Sequence, residues 1–140
     1  MLTGEFRPTL DQKNRIFVPS KLREELGETF MIVRDVRQKC LKMYSLEGWT
    51  EYITPIKQQR RDIAEATMRL LHSTAAQVTP DSQGRVLIPS KLVEFASLEK
   101  NIVVIGCYDY AEIWAENLYE ELIASQDEDA LRAALEELGL

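Results

Sequence analysis

The chain of 140 residues contains one histidine, two cysteines and no long apolar run. Cys40 and Cys107 stand 67 residues apart, with no CxxC spacing and no histidine beside them. That leaves neither a zinc site nor a redox pair, and both read as buried thiols acting as small apolar side chains. His72, followed by Ser73 and Thr74, falls at the end of a helical pattern, where a surface or capping role is expected rather than a catalytic base. No GxSxG, Walker, GxGxxG or HExxH run occurs, and each of those spacings carries a distinct chemistry. The carboxylates lie mostly on helix faces, where solvation accounts for them. No enzyme, cofactor or metal site is expected. No stretch approaches the ~18 apolar residues of a membrane-spanning helix, and the run Ile102 to Cys107 is strand-sized. The opening Met-Leu-Thr-Gly-Glu-Phe-Arg has no leader-like apolar stretch. A cytoplasmic protein with no membrane partner is the expectation.

What the chain has is a repeat. Apolar residues make up 45% and charged residues 29%, so it folds, either as one unit or as two small halves. Shifted by 70 residues, Thr9 to Glu25 (TLDQKNRIFVPSKLREE) lies over Thr79 to Phe95 (TPDSQGRVLIPSKLVEF), with eight of 17 positions identical. The identities include Asp11/Asp81, Arg15/Arg85, Pro19/Pro89, Ser20/Ser90 and Lys21/Lys91. The same ungapped register sets Ile32-Val33 over Ile102-Val103, Met43-Tyr44 over Ile113-Trp114 and Trp49 over Tyr119. Such self-similarity marks a duplicated module.

Each module reads as strand, turn, strand, short helix, strand, turn, strand. Asp-x-x-[Asn/Gly]-Arg is the first turn: Gly84 takes a positive φ without steric cost, and Asn14 is the commonest substitute. Ile16–Val18 and Val86–Ile88 follow as apolar strands ended by Pro19 and Pro89, which cannot donate to a ladder. Ser20 and Ser90 suit the N-caps of helices Lys21–Leu26 and Lys91–Ala96. Strands are expected at Phe30–Val33, Leu41–Tyr44, Asn101–Ile105 and Ala111–Trp114. Helices are expected over Glu47–Ile53, interrupted before Pro55, and over Arg60–Leu71, with Ile63, Ala66, Thr67, Leu70 and Leu71 on one stripe. Leu118, Leu122 and Ile123 mark another. Ser125 and Glu128 fit a capping box for a last helix carrying Leu131, Ala134, Leu135 and Leu138, with Gly139 where it stops.

A module of four short strands is too small to bury a core alone. Two can close one pseudo-symmetric barrel by pairing each other's edges; two separate beads are the alternative. The expected fold class is α+β: a β-barrel core from two tandem repeats at 5–50 and 75–120, a helical connection at 51–74 and a C-terminal helix at 121–140.

The formal charge of −6 hides a polarity. Residues 1–70 carry 13 Lys and Arg against 10 Asp and Glu, whereas residues 71–140 carry 4 against 13. Arg7, Lys13, Arg15, Lys21 and Arg23 gather around the first turn and its helix. A basic face attracts phosphate even when the whole is acidic. Arg15 and Arg85 recur at one turn position, either as structural partners of Asp11 and Asp81 or as guanidinium forks meeting base edges or phosphates. Both roles are compatible. Lys13, Lys21 and Arg23 would hold the backbone. Gln83 and Val93 replace Lys13 and Arg23 in the second copy, so the first copy should supply more of the attraction.

The repeated D-x-x-x-R-[apolar]3-P-S-K-L run resembles the AbrB/SpoVT DNA-binding fold. Its duplication, with Gly4-Glu5-Phe6 at the start and Ile113-Trp114 at the end, resembles the MraZ family of bacterial transcriptional regulators. Asn14 departs from the glycine usual in the family's first copy. The resemblance implies a double-split β-barrel, a nucleoid-associated ring-like homo-oligomer, and double-stranded DNA as partner. It further implies repression from direct repeats upstream of the division and cell wall gene cluster. The DNA-contacting positions would be Arg15 and Arg85 with their neighbours Lys13, Asn14 and Gln83, and Lys21, Arg23 and Arg7 around them; Asp11, Asp81 and Gly84 would shape the turns. An antitoxin-type protein-interaction module, whose helical tail neutralises a partner, is the alternative.

Overall fold

The computed structural model describes residues 1–140. Where inward and outward side chains alternate between turn residues, strands form. In the first half these are β1 (Glu5–Phe6), β2 (Arg15–Phe17), β3 (Phe30–Arg34) and β4 (Leu41–Ser45). Their counterparts are β5 (Ala76–Val78), β6 (Arg85–Leu87), β7 (Ile102–Gly106) and β8 (Ala111–Ala115). Apolar residues at helical spacing give α1 (Ser20–Leu26), α2 (Leu46–Lys57) and α3 (Arg61–His72), then α4 (Ser90–Phe95), α5 (Glu116–Ser125) and α6 (Glu128–Glu137).

Six strands form one antiparallel sheet in the order β1-β7-β8-β4-β3-β5, and β2 and β6 form a separate two-stranded ribbon. The halves exchange their first strands: β1 pairs with β7, and β5 with β3. Neither half therefore satisfies its own backbone. Two ladders pair residues that are equivalent in the repeat, Ile16 with Val86 and Lys42 with Glu112. A pseudo-two-fold axis through both pairs relates the two halves.

Between ribbon and sheet lies a cluster of 20 buried residues drawn from both halves, including Ile16, Leu22, Phe30 and Leu41 and, from the second copy, Val86, Leu92, Ile102 and Ile113. This shared core rules out two separate beads. The outer face of the sheet is covered by α2 and α3, through Trp49, Ile53 and Leu71 against Met31, Val33 and Tyr44. On the second half, Leu118, Tyr119 and Leu122 of α5 pack against Cys40, Val103 and Trp114. No residue of α6 is buried.

The backbone pairing gives a six-stranded sheet and a two-stranded ribbon with no ladder between them. Several expectations are corrected. The repeat register breaks at one strand: Phe30 pairs with Ser45, while Ile102 pairs with Ala115. Phe30 thus corresponds to Ile102, a shift of 72 residues and not 70. Two is an even number, so inward and outward positions stay matched and the sequence pattern cannot reveal the slip. Ser20 and Ser90 are first helical residues, not caps; Pro19 and Pro89 hold the cap position and neither serine side chain bonds there. The helix at Pro55 continues to Lys57, because a proline in the last turn removes only one backbone bond. Ser125 ends α5, donating to the Leu122 carbonyl at 2.8 Å, and Asp127 caps α6 by accepting from the Ala130 N–H at 3.0 Å. In α3 only Leu71 is buried, and Ile63 and Leu70 face solvent. His72 is structural: Trp49 Nε1 donates to its Nε2 at 3.0 Å, tying α2 to α3. Cys40 is buried, but Cys107 only partly.

Candidate nucleic-acid interface

The two Asp-x-x-[Asn/Gly]-Arg loops fold identically because one carboxylate organises each. Asp11 Oδ1 accepts from the backbone N–H of Lys13 at 2.8 Å and of Arg15 at 2.9 Å, while Oδ2 accepts from Arg15 Nε at 2.9 Å. Asp81 does the same with Gln83, Arg85 and Arg85 Nε, at 2.9, 2.9 and 3.1 Å. These bonds favour the ionised form. Both carboxyls are held below the ordinary carboxylate value, first by the backbone donor of the arginine and further by its side chain. The chain turns at Asn14 (φ 61°) and Gly84 (φ 79°).

The loops then lock onto each other's strand: the Val18 N–H donates to the Gly84 carbonyl at 2.9 Å, and that of Ile88 to the Asn14 carbonyl at 2.8 Å. Within the ribbon Arg15 faces Leu87 and Phe17 faces Arg85. Ile16 and Val86 turn into the core, so alternation sends Arg15, Phe17, Arg85 and Leu87 to one outer face. The sequence suggested paired arginines but missed Phe17 and Leu87, which are 45% and 58% exposed. The signal was present in the three-residue strands: burying the central residue of each leaves its flanks outward.

Each guanidinium is fixed through Nε by its own aspartate. Arg85 Nη1 also lies 3.9 Å from Asp11 Oδ2, so the two braces touch across the pseudo-axis. The exposed side chains of Lys13 and Gln83 extend from the loops beside this face, and Lys21 is exposed in the first turn of α1. Arg23 is less free: its Nε donates to the Val18 carbonyl at 2.8 Å, and its guanidinium packs by Gly84 and over the Phe17 ring at 5.9 Å. Arg7 does not join this group. It is engaged by Glu5 at 3.1 Å and Glu116 at 3.4 Å, beside Tyr119, and these carboxylates raise its pKa, Glu5 foremost.

Two outward forks on a two-stranded ribbon, flanked by lysines and two exposed apolar side chains, can meet base edges, phosphates and thymine methyl groups; a ribbon of this width fits the major groove. No cluster of three or more His, Cys, Asp or Glu could hold a metal ion.

Comparison with known proteins places the chain among relatives of similar length. A family model described as "MraZ protein, putative antitoxin-like" matches residues 1–72 and again 71–139. A protein named transcriptional regulator MraZ from Clostridium tetani is 38% identical over 144 residues, covering 100% of both chains. Its namesake from Clostridium acetobutylicum is 38% identical over 143 residues with the same coverage. The one from Dictyoglomus turgidum is 36% identical, over 97% of this chain and 92% of its own.

Proposed function

Because the chain belongs to the MraZ family, whose members are transcriptional regulators and not enzymes, we propose that it is a sequence-specific DNA-binding repressor that reads the major groove with its β2–β6 ribbon. The observation that carries this reading is the direct pairing of β2 with β6, which sets Arg15 and Arg85 on one outward face. The exchanged first strands and the crossed ribbon support a double-split barrel of the AbrB/SpoVT kind. The two halves of the ribbon are unequal, with Lys13 and Arg23 in one and Gln83 and Val93 in the other. A directional reader of this kind suits direct repeats, here those upstream of the division and cell wall genes, and works in the cytoplasm on the nucleoid. No helix is long and apolar enough to cross a membrane.

Fluorescence anisotropy with a promoter fragment containing the direct repeats tests the site. Replacing both Arg15 and Arg85 by alanine should weaken binding about 100-fold, since a bidentate base contact contributes about 1–3 kcal/mol. Wild-type affinity in that variant, with its fold intact by circular dichroism, overturns the assignment. A reporter driven by the same promoter should rise when the protein is removed.

Assembly follows from α6. Its Leu131 and Leu135 are exposed among Glu128, Glu136 and Glu137, while α3 exposes Ile63 and Leu70 beside Arg69. Apolar and charge complementarity support docking of α6 on α3 of a second copy, a head-to-tail contact that closes a ring. Several ribbons would then engage tandem sites together. Light scattering should report an oligomer for the wild type and a smaller species for Leu131→Asp, Leu135→Asp. A monomeric wild type at micromolar concentration refutes it.

A further inference from the structure

Between the N-terminal residues, the end of α1, the start of α2 and the β7–β8 loop lies a cavity of about 490 Å³. Leu41 and Met43 point into the core, so Lys42 and Tyr44, alternating with them on β4, point away from the ribbon. Tyr44, Tyr52, Tyr108 and Tyr110 line this cavity together with Glu47 and Glu51 of α2 and Asp109 of the β7–β8 loop. The volume is that of a small-molecule site.

Four features indicate what would fill it. Tyr44 is only 4% exposed and lines the cavity, and its hydroxyl, which bonds to no group of the chain, is accessible. Its ring lies 5.3 Å from that of Tyr52 and 5.7 Å from that of Tyr110, centroid to centroid, so π-faces and edges converge. Glu47, Glu51 and Asp109 form no ion pair, whereas the cations nearby are already matched: Lys42 with Asp35 at 3.1 Å and the terminal ammonium with Glu25 at 2.9 Å. Finally, the Lys42 ammonium sits 4.2 Å from the Tyr110 ring centroid, so this wall already holds one alkyl-ammonium group by a cation–π contact. The start of α2 would ordinarily favour an anion, but Ser45 caps it by accepting from the Gly48 N–H at 2.9 Å, and Glu47 in its first turn already offsets its dipole.

Tyr108 brings a further phenol to the cavity. It adopts φ 73°, a conformation a bulky side chain rarely takes, and is held there by two backbone bonds to Leu2 at 2.9 and 2.8 Å. The result is an exposed phenol at the cavity mouth.

We propose that this aromatic, acid-lined cavity binds a small organic cation with two or more ammonium groups on an alkyl chain. The aromatic faces would take the methylenes and one ammonium, the Tyr44 hydroxyl would accept from an N–H, and Glu47, Glu51 and Asp109 would pair with the remaining charge. The site stands on its own, independent of the DNA reading.

Isothermal titration calorimetry of the full chain with spermidine, without DNA, tests it. Saturable binding of one spermidine per chain is expected. Glu47→Gln, Glu51→Gln should weaken it about tenfold, the loss of two exposed charge pairs, and Tyr44→Phe should weaken it several-fold while leaving the thermal melt unchanged. Hexaamminecobalt(III), trivalent but without an alkyl chain, should not compete at equal concentration. No saturable heat at millimolar spermidine overturns the proposal. So does binding that Glu47→Gln, Glu51→Gln leaves intact, which would place the amine on the acidic C-terminal helix, or equal competition by the cobalt complex, which would reduce the effect to bulk charge.

Discussion

Asp11 and Asp81 each take three hydrogen bonds from their own loop, so their ionised form belongs to the folded loop. Their folded-state pKa values lie below the ordinary 3.8. The stabilisation is therefore fully present above that value and is lost as pH falls through the lowered folded-state values. NMR titration of the two side-chain carboxyl carbons should give midpoints below 3.8, and a midpoint at or above it in either loop contradicts the brace. This carboxylate–guanidinium partnership was legible from the five-residue spacing repeated in both copies. The exposed Phe17 and Leu87 were harder to read, because an apolar triplet before a proline looks like core throughout. Arg7 was misplaced by proximity in sequence: β1 carries it to Glu5 and Glu116 rather than to the turn it precedes.

The two turns are built from different residues under one geometry, and that difference is testable. A Cβ added to Gly84 would lie 3.1 Å from the Arg23 guanidinium and 3.1 Å from the Phe17 ring, on a backbone at φ 79°. Gly84→Ala should cost about 1–2 kcal/mol from the left-handed conformation alone and should displace Arg23 and Phe17, weakening DNA binding as well. Asn14→Gly, at φ 61°, should change stability by less than about 1 kcal/mol, since both residues tolerate that region. Urea denaturation separates the two, and an equal loss in both variants contradicts this account. Among the helices, existence was plain from apolar spacing, but the ends were set by competition: Pro19 and Pro89 displaced the serines from the cap, and Asp127 displaced Ser125.

The whole molecule is one object made from two halves that cannot stand apart. In residues 1–72, β2 lacks β6, β3 lacks β5 and β4 lacks β8, while the shared cluster loses Val86, Ile88, Leu92 and Ile113. Residues 1–72 alone should never appear as a folded monomer by circular dichroism and light scattering, and adding residues 73–140 should restore a cooperative transition. A folded monomeric half would refute the shared core. The same pseudo-axis that makes the halves interdependent sets Arg15 and Arg85 side by side on the ribbon.

Sequence by itself determined the duplication, the Asp–Arg turns, the short strands and the helical stripes, because these follow from local spacing, side-chain alternation and backbone preference. Only the tertiary structure decided which strands exchange between halves, the two-residue slip at β7, the fate of Arg7 and the gathering of four tyrosines around one cavity. Those outcomes depend on contacts between distant segments. An even-numbered slip, or a strand that pairs with the other copy, leaves the local pattern unchanged while redirecting every side chain's neighbours.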